Sequence, residues 1–516
     1  MKREALGLAA ALGAGLVVLA LVGGVGGLGL LWSDEFAYAA AARELHEGRE
    51  PLAFDTNVQF VRRYGFPYEE PHARGGVQAI RGAFAILGVS EGAALLPAMA
   101  ATLAAVLVAY GCSRAAGLGP GGAALLSGVL AAMPQVAGFA ATAFTEPATT
   151  LAFLLGAAAL LVRKTGGRFA LAALGSALGV AHRETSIAIP CALALGLVLE
   201  ARREGAKWPQ ALRAAAPAAA ALALALAVLR LCAGVFATRS GGDLAGWYLT
   251  LPFVPEEVFR DGFHAASNVP PPPITFSLIV HRALAQAPRL VWCERPIAGA
   301  GISIVLAHVA AACALPGLRR SATPASHGLA AYALSLYAVK VLFLLFLYEE
   351  PGLNARHLAP ETAALVLAAG AALGPSRRSA IAGIALLPLL LSVDARVAAE
   401  RRVERGRRAD YSATLCRIAD PRPGKALVAY NAYRVTWDRP GTFVVLPPAT
   451  EPTLDWLAER VPIQAMVLDA TEPLVAPSLH SRGHAPGRLG RFELKGRDTS
   501  AGVTLLLYEP PTHQPR

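Results

Sequence analysis

Charge is what this 516-residue chain has least of: only 16% of its residues are charged, against about 25% in soluble proteins. Mean hydropathy is correspondingly high, at +0.46. The deficit is uneven. Stretches such as ALGLAAALGAGLVVLALVGGVGGLGLLW (5–32) carry no charge at all, and each is long enough for the roughly 20 helical residues that cross a bilayer. An ordinary soluble fold is excluded. Cysteine is also scarce, with six in the chain, and Cys112, Cys191, Cys232 and Cys313 lie in or beside apolar runs. No CxxC or Cys/His spacing points to zinc or a redox pair. No internal repeat is present, which argues against the repeat-built architecture of many secondary transporters. No heptad pattern is present either.

What remains is dominated by apolar runs rich in Ala and Gly, residues that let helices approach closely. Eleven spans are expected, at about 5–31, 92–111, 120–139, 147–162, 169–182, 185–200, 212–236, 298–315, 328–347, 358–374 and 379–393. The opening MKRE and its apolar run resemble a signal peptide. That run is long for one and has no small-x-small site before Trp32, so an uncleaved first span is expected. Loops on one side hold Lys2/Arg3, Arg114, Arg163/Lys164/Arg168, Arg202/Arg203/Lys207/Arg213, Arg319/Arg320 and Arg377/Arg378. The positive-inside rule makes them cytoplasmic, with the N-terminus inside and the C-terminus outside. The formal charge of +11 therefore reflects topology, and nucleic acid is not an expected partner. The basic run RVAAERRVERGRR (396–408) is an exception, allowed because it opens a long translocated domain.

The fold class is thus a polytopic α-helical membrane protein with about eleven transmembrane helices and a small C-terminal α/β soluble domain. Residues 1–394 form the membrane domain, with external loops at 32–91 and 237–297, and residues 395–516 form the external domain. In the first loop DEFAYAAAARELHEG has a helical pattern with Phe36, Ala40 and Leu45 on one side, as expected of a helix lying along the membrane surface. The second loop is irregular and lid-like, with Gly241–Gly242 and Pro270 to Pro273. In the tail, 426–433, 442–447, 465–470 and 503–509 read as strands and 452–461 as a helix, a βαβ-containing unit that buries Val428, Val444, Val467 and Leu506.

The residues with most chemical content are Asp34 and Glu35, directly after the first span. An ionised acid at the bilayer centre would cost about 3 kcal/mol, so the pair belongs at the boundary or in a wet cavity. There a carboxylate can take a proton from an acceptor hydroxyl. The plainer alternative is a helix ending in solvent. Glu146 stands at the N-terminus of a span, where the helix dipole favours an acid. Arg183 and Arg356 lie on the external face, where no positive-inside bias accounts for them. Arg can hold a phosphate bidentately; the alternatives are an ion pair of Arg183 with Glu184 or another external acid, and snorkelling for Arg356.

Four stretches, in order, carry a resemblance: WSDEFAYAAAARELHEGREPL (32–52), FTEPATTLAFLLGAAALL (144–161), GVAHRETSIAIPCALALGL (179–197) and NARHLAPETAALVLAAG (354–370). Together they resemble the GT-C glycosyltransferases, in the branch of the protein O-mannosyltransferases and the lipid A aminoarabinose transferases. The first has that group's Asp-Glu pair after a span, an aromatic (Tyr38), then a helix ending in Gly48 and Pro51. The last has its Arg-aromatic-x-x-Pro start of a late span. One departure is EEPHARGGVQAIRG (69–82), which stands where the family often has Pro-Pro-Leu and adds the external cations Arg74 and Arg81.

The resemblance covers about residues 1–395 and implies sugar transfer from a polyprenyl-phosphate donor to a protein, lipid or glycan acceptor at the periplasmic face of a bacterial inner membrane. It implies Asp34 as catalytic base and Glu35 as its catalytic neighbour. Glu146 would bind the acceptor or a divalent metal, and Arg183, Arg356, His357 and Arg74 would contact the donor phosphate. No cofactor is required by the residues themselves. A secondary transporter and a non-catalytic membrane scaffold are the competing classes.

Overall fold

The computed structural model describes residues 2–25, 27–49, 74–232, 275–291, 300–319, 323–347, 358–374, 377–429, 432–445, 454, 458–459, 462–469, 487–500 and 503–511. Apolar sequence leaves the backbone to satisfy its own polar groups, and the described part of residues 1–419 does so as helices. They are α1 (Lys2–Ala20, extended by a π turn Leu21–Val25), α2 (Ser33–His46), α3 (Gly75–Leu87), α4 (Glu91–Ala115), α5 (Pro120–Ala131), α6 (Pro134–Ala137), α7 (Glu146–Leu161), α8 (Thr165–His182), α9 (Ala188–Arg203), α10 (Trp208–Ala214), α11 (Ala216–Cys232), α12 (Phe276–Val291), α13 (Ala300–Ala314), α14 (Pro324–Leu347), α15 (Ala359–Leu373) and α16 (Arg377–Ala419). Their starts follow local chemistry. Ser90 caps α4 by accepting the Ala93 N–H at 3.1 Å, and proline occupies the first turn of α5, α7 and α15, where its missing N–H costs nothing.

Among the described residues, four helical stretches are long and apolar enough to cross a bilayer: Lys2–Val25, Glu91–Ala115, Glu184–Arg203 and Ala380–Ala419. The bent pair α10–α11 makes a fifth if it is one span. The small-residue composition has the packing consequence expected of it. Where α9 crosses α14, a Cβ added at Gly196 would lie 2.8 Å from the Gly328 carbonyl oxygen, and one at Gly328 would lie 2.9 Å from that of Gly196. Only glycine at both positions permits that approach.

The C-terminal sheet has the order β2-β1-β3-β6-β5-β4, from β1 (Ala426–Ala429), β2 (Phe443–Val445), β3 (Ile463–Asp469), β4 (Arg488–Leu489), β5 (Phe492–Ser500) and β6 (Val503–Glu509). The first three pair in parallel, with Val428 opposite Val445 and Met466. The others pair antiparallel. Val428, Val444, Val467 and Leu506 are all buried. The β4–β5 hairpin and α17 (Tyr433–Asp438) were not foreseen. Their alternation is broken by charge in β5 (Phe492–Ser500, FELKGRDTS) and by shortness in the others. Of the helix expected over 452–461 only 454 and 458–459 are described, and Leu454 packs into the sheet's core.

Two features stand beside the expectations. α2 is not left with an open face as its pattern suggests: Glu35 to Glu44 are buried without exception, because α3 packs on one side of it and α17 on another. Second, the boundary placed at 394/395 falls inside α16, a helix of 43 residues with Pro388 within it. At about 1.5 Å per residue it is roughly 65 Å long, so the last apolar run and the stem of the C-terminal domain are one element.

Candidate active site

α2 begins at Ser33 because Glu35 folds back on its own N-terminus. Its Oε2 accepts the N–H groups of Leu31 and Trp32, both at 2.9 Å, satisfying donors that the first turn of a helix leaves orphaned. Its Oε1 accepts the Ala143 N–H at 3.0 Å, which ties α2 to the segment between α6 and α7. The carboxylate is wholly buried. Burial pushes its pKa up from the usual carboxylate range, opposed by the Trp32, Ala143 and Leu31 amides and by the charge of Arg405. With both oxygens engaged, Glu35 has the surroundings of a positioning group. Asp34 lies in the first turn of the same helix; its side chain is outside the described residues.

We expect Glu35→Gln to set an amide N–H₂ against at least one of these three backbone donors. Leaving a buried donor unsatisfied costs about 1–3 kcal/mol. Thermal unfolding of the detergent-purified protein should show a clear loss of stability; an unchanged midpoint would mean that the three contacts matter little.

The acid and arginine read separately from sequence meet in space. Arg183, which ends α8, donates Nη1–H to Oε1 of Glu146 at 3.0 Å, and the side chains are 13% and 3% exposed. Arg183 therefore pairs with Glu146, an acid 37 residues earlier in the chain. Beside them stands a pair the sequence reading missed: Lys340 Nζ of α14 lies 3.7 Å from Glu361 Oε1 of α15, with side chains 9% and 4% exposed. The charges of Arg183 and Glu146 both act on Lys340. Four helices thus bring two acids and two bases into one buried group. A signal was available, since Lys340 and Glu361 are lone ionisable residues in apolar runs, and such residues are functional candidates by default.

Arg74 is exposed at the start of α3, and its N–H donates to the Cys232 carbonyl at 2.9 Å. The next residue, Gly75, sits so close to the end of α8 that a Cβ there would lie 2.2 Å from the Ala181 carbonyl oxygen. That contact brings the backbone of Arg74 to the end of the helix bearing His182 and Arg183. Arg356 and His357, like Pro71, His72 and most of the 237–297 loop, lie outside the described residues.

A cavity of about 200 Å³ opens next to the Glu35–Ala143 contact, lined by Gly76, Ile80, Pro97, Thr142, Phe144 and His182 among others. Its walls are largely apolar. Among the described residues no three His, Cys, Asp or Glu side chains gather as metal ligands. The nearest donors suit a metal poorly: Glu35 is held by amides and Glu146 by a guanidinium that would repel a dication.

No family model matches the chain, and no curated protein matches it. Solved structures do. ArnT from Cupriavidus metallidurans, bound to undecaprenyl phosphate, aligns over 99% of this chain and 99% of its own, with a TM-score of 0.54 at 14% identity. The oligosaccharyltransferase of Archaeoglobus fulgidus, in complex with zinc and sulfate, aligns over 98% of this chain and 74% of its own, with a TM-score of 0.50 at 12% identity. Helical domain and C-terminal sheet are both included in these alignments, and the fold of this chain is therefore the one these two structures share.

Proposed function

We propose that this protein is a membrane glycosyltransferase that moves a sugar from a polyprenyl-phosphate donor to a hydroxyl acceptor (protein, lipid or glycan) at the periplasmic face of a bacterial inner membrane. The observation that carries the proposal is the whole-length likeness to an aminoarabinose transferase fold. It is joined by an acid pair at the start of a buried first-loop helix. A helix overlaps each of the eleven apolar runs, which supports eleven spans.

In this reading Asp34 takes the proton from the acceptor O–H as the oxygen attacks the anomeric carbon. The bond from that carbon to the phosphate oxygen breaks, and the phosphate leaves with the electron pair, inverting the anomeric centre. Glu35 sets the height and angle of Asp34. The departing phosphate needs cations, and Arg183, Arg356, His357 and Arg74 are assigned to it. Glu146 holds Arg183 in place, so its part in acceptor binding would be through that pair. The apolar cavity beside Thr142 and His182 suits a segment of a lipid-linked substrate.

Two experiments test this. Deleting the gene should remove one defined glycan or glycolipid, and membranes containing the wild-type protein should transfer sugar from a polyprenyl-phosphate donor. A deletion strain with an unchanged glycan and glycolipid profile would remove the proposal. The proposed topology puts both the acid pair and residue 516 outside. A reporter active only in the periplasm, fused after Arg516, should be active; activity from a cytoplasm-only reporter at the same place would overturn it.

A further inference from the structure

The basic run at 396–408 sorts by contact into two faces. Arg402 and Arg407 are exposed. Arg401, Arg405 and Arg408, spaced by four and three residues and so on one side of a helix, all point at backbone carbonyls of the catalytic region. Arg401 donates to the Gly138 carbonyl and Arg405 to that of Gly27. Arg408 donates to the Leu31 carbonyl at 3.1 Å and lies over the Trp32 ring, 5.7 Å from its centroid. Gly27 and Leu31 belong to the connection between α1 and α2, and Gly138 precedes the segment whose Ala143 N–H binds Glu35.

The C-terminal domain closes the arrangement from a second side. Arg434 of α17 pairs with Glu91 at 2.9 Å, and the other oxygen of Glu91 accepts the Leu30 N–H at 2.8 Å. Arg43 of α2 donates to the carbonyls of Thr436 and Trp437, both at 2.9 Å, and Glu44 accepts the Gly441 N–H at 3.1 Å. Two guanidinium groups, of Arg405 and Arg408, end on the few residues that precede Asp34, and Glu91 links Arg434 to Leu30 of the same stretch.

We infer that Arg405 and Arg408 are positioning residues that clamp the 27–32 connection, with Arg401 holding Gly138 ahead of the segment that binds Glu35, so that the C-terminal domain and its stem set the geometry of Asp34. The inference rests on the transferase reading for its consequence in catalysis, but the clamp itself is testable without activity. In the full-length protein in nanodiscs, Arg405→Ala with Arg408→Ala should speed hydrogen–deuterium exchange in peptides covering 27–36 by about ten-fold or more, leaving α7 and α8 unchanged. Arg402→Ala with Arg407→Ala should leave all of them unchanged. Arg405→Lys with Arg408→Lys, which still donates to a carbonyl, should keep most of the protection.

With a polyprenyl-phosphate sugar that the wild type turns over, the double alanine variant should lower kcat by about ten-fold or more with little change in donor KM. Should it fail to fold, Arg408→Gln, at a partly exposed site, takes its place. Unchanged exchange at 27–36 in a folded variant, or an equal effect from the Arg402/Arg407 pair, would overturn the inference. If the wild type transferred no sugar from a polyprenyl-phosphate donor while exchange rose as expected in the variant, the transferase reading would fall and the clamp would stand.

Discussion

Asp34→Asn should reduce sugar transfer by at least about two orders of magnitude, since general-base catalysis typically contributes 10²- to 10⁴-fold. Asparagine keeps the size and polarity of the side chain and cannot take a proton at neutral pH. Protein level and insertion should be nearly unchanged, because position 34 follows the first apolar run and the fold of α2 is anchored through Glu35, not through its neighbour. Measured on purified variants, the loss should fall mainly in kcat. Glu35→Gln provides the contrast, losing activity together with thermal stability because it loosens the whole first turn. A fully active, normally expressed Asp34→Asn protein would remove the base. A non-catalytic scaffold would be indifferent to the change in its own role, so the turnover assay separates the classes.

The second large effect is expected at Lys340 and Glu361. Removing one partner of a buried pair leaves the other charge uncompensated and typically costs about 3–5 kcal/mol, whereas replacing both by apolar residues is often neutral. Lys340→Met and Glu361→Leu should each lower expression and thermal stability strongly, the more so because Glu361 Oε2 already has no hydrogen-bond partner among the described residues. The double variant should regain stability. Its transfer activity should stay at least about ten-fold down, because the helices of Lys340 and Glu361 both pack on the helix that carries Glu146 and the variant removes two charges there. Thermal unfolding and turnover of the three variants decide the matter: a double variant that is both stable and active would make the pair a packing feature only.

From composition and pattern follow the helical class of this protein and the places of its apolar helices, but not α17 or the β4–β5 hairpin. Helices follow from charge-free runs because a bilayer leaves no other way to satisfy the backbone. The strands that begin at Ala426 and Val503 follow from short runs of β-branched and aliphatic residues. Asp34, Glu146 and Arg183 were legible as ionisable residues at the ends of apolar segments. Only the tertiary structure decided what those residues touch. That Glu35 is wholly buried under three amides depends on a segment 108 residues away, and the Lys340–Glu361 pair depends on how α14 packs against α15. The amphipathic-looking first-loop helix is buried because α17, nearly 400 residues later in the chain, covers it. Likewise the arginines of 396–408 read only as an exception to a charge rule, since the carbonyls they reach lie some 260 to 380 residues earlier. Periodicity and composition are local properties of a chain, whereas a guanidinium's partner is set by packing between elements that no local pattern encodes.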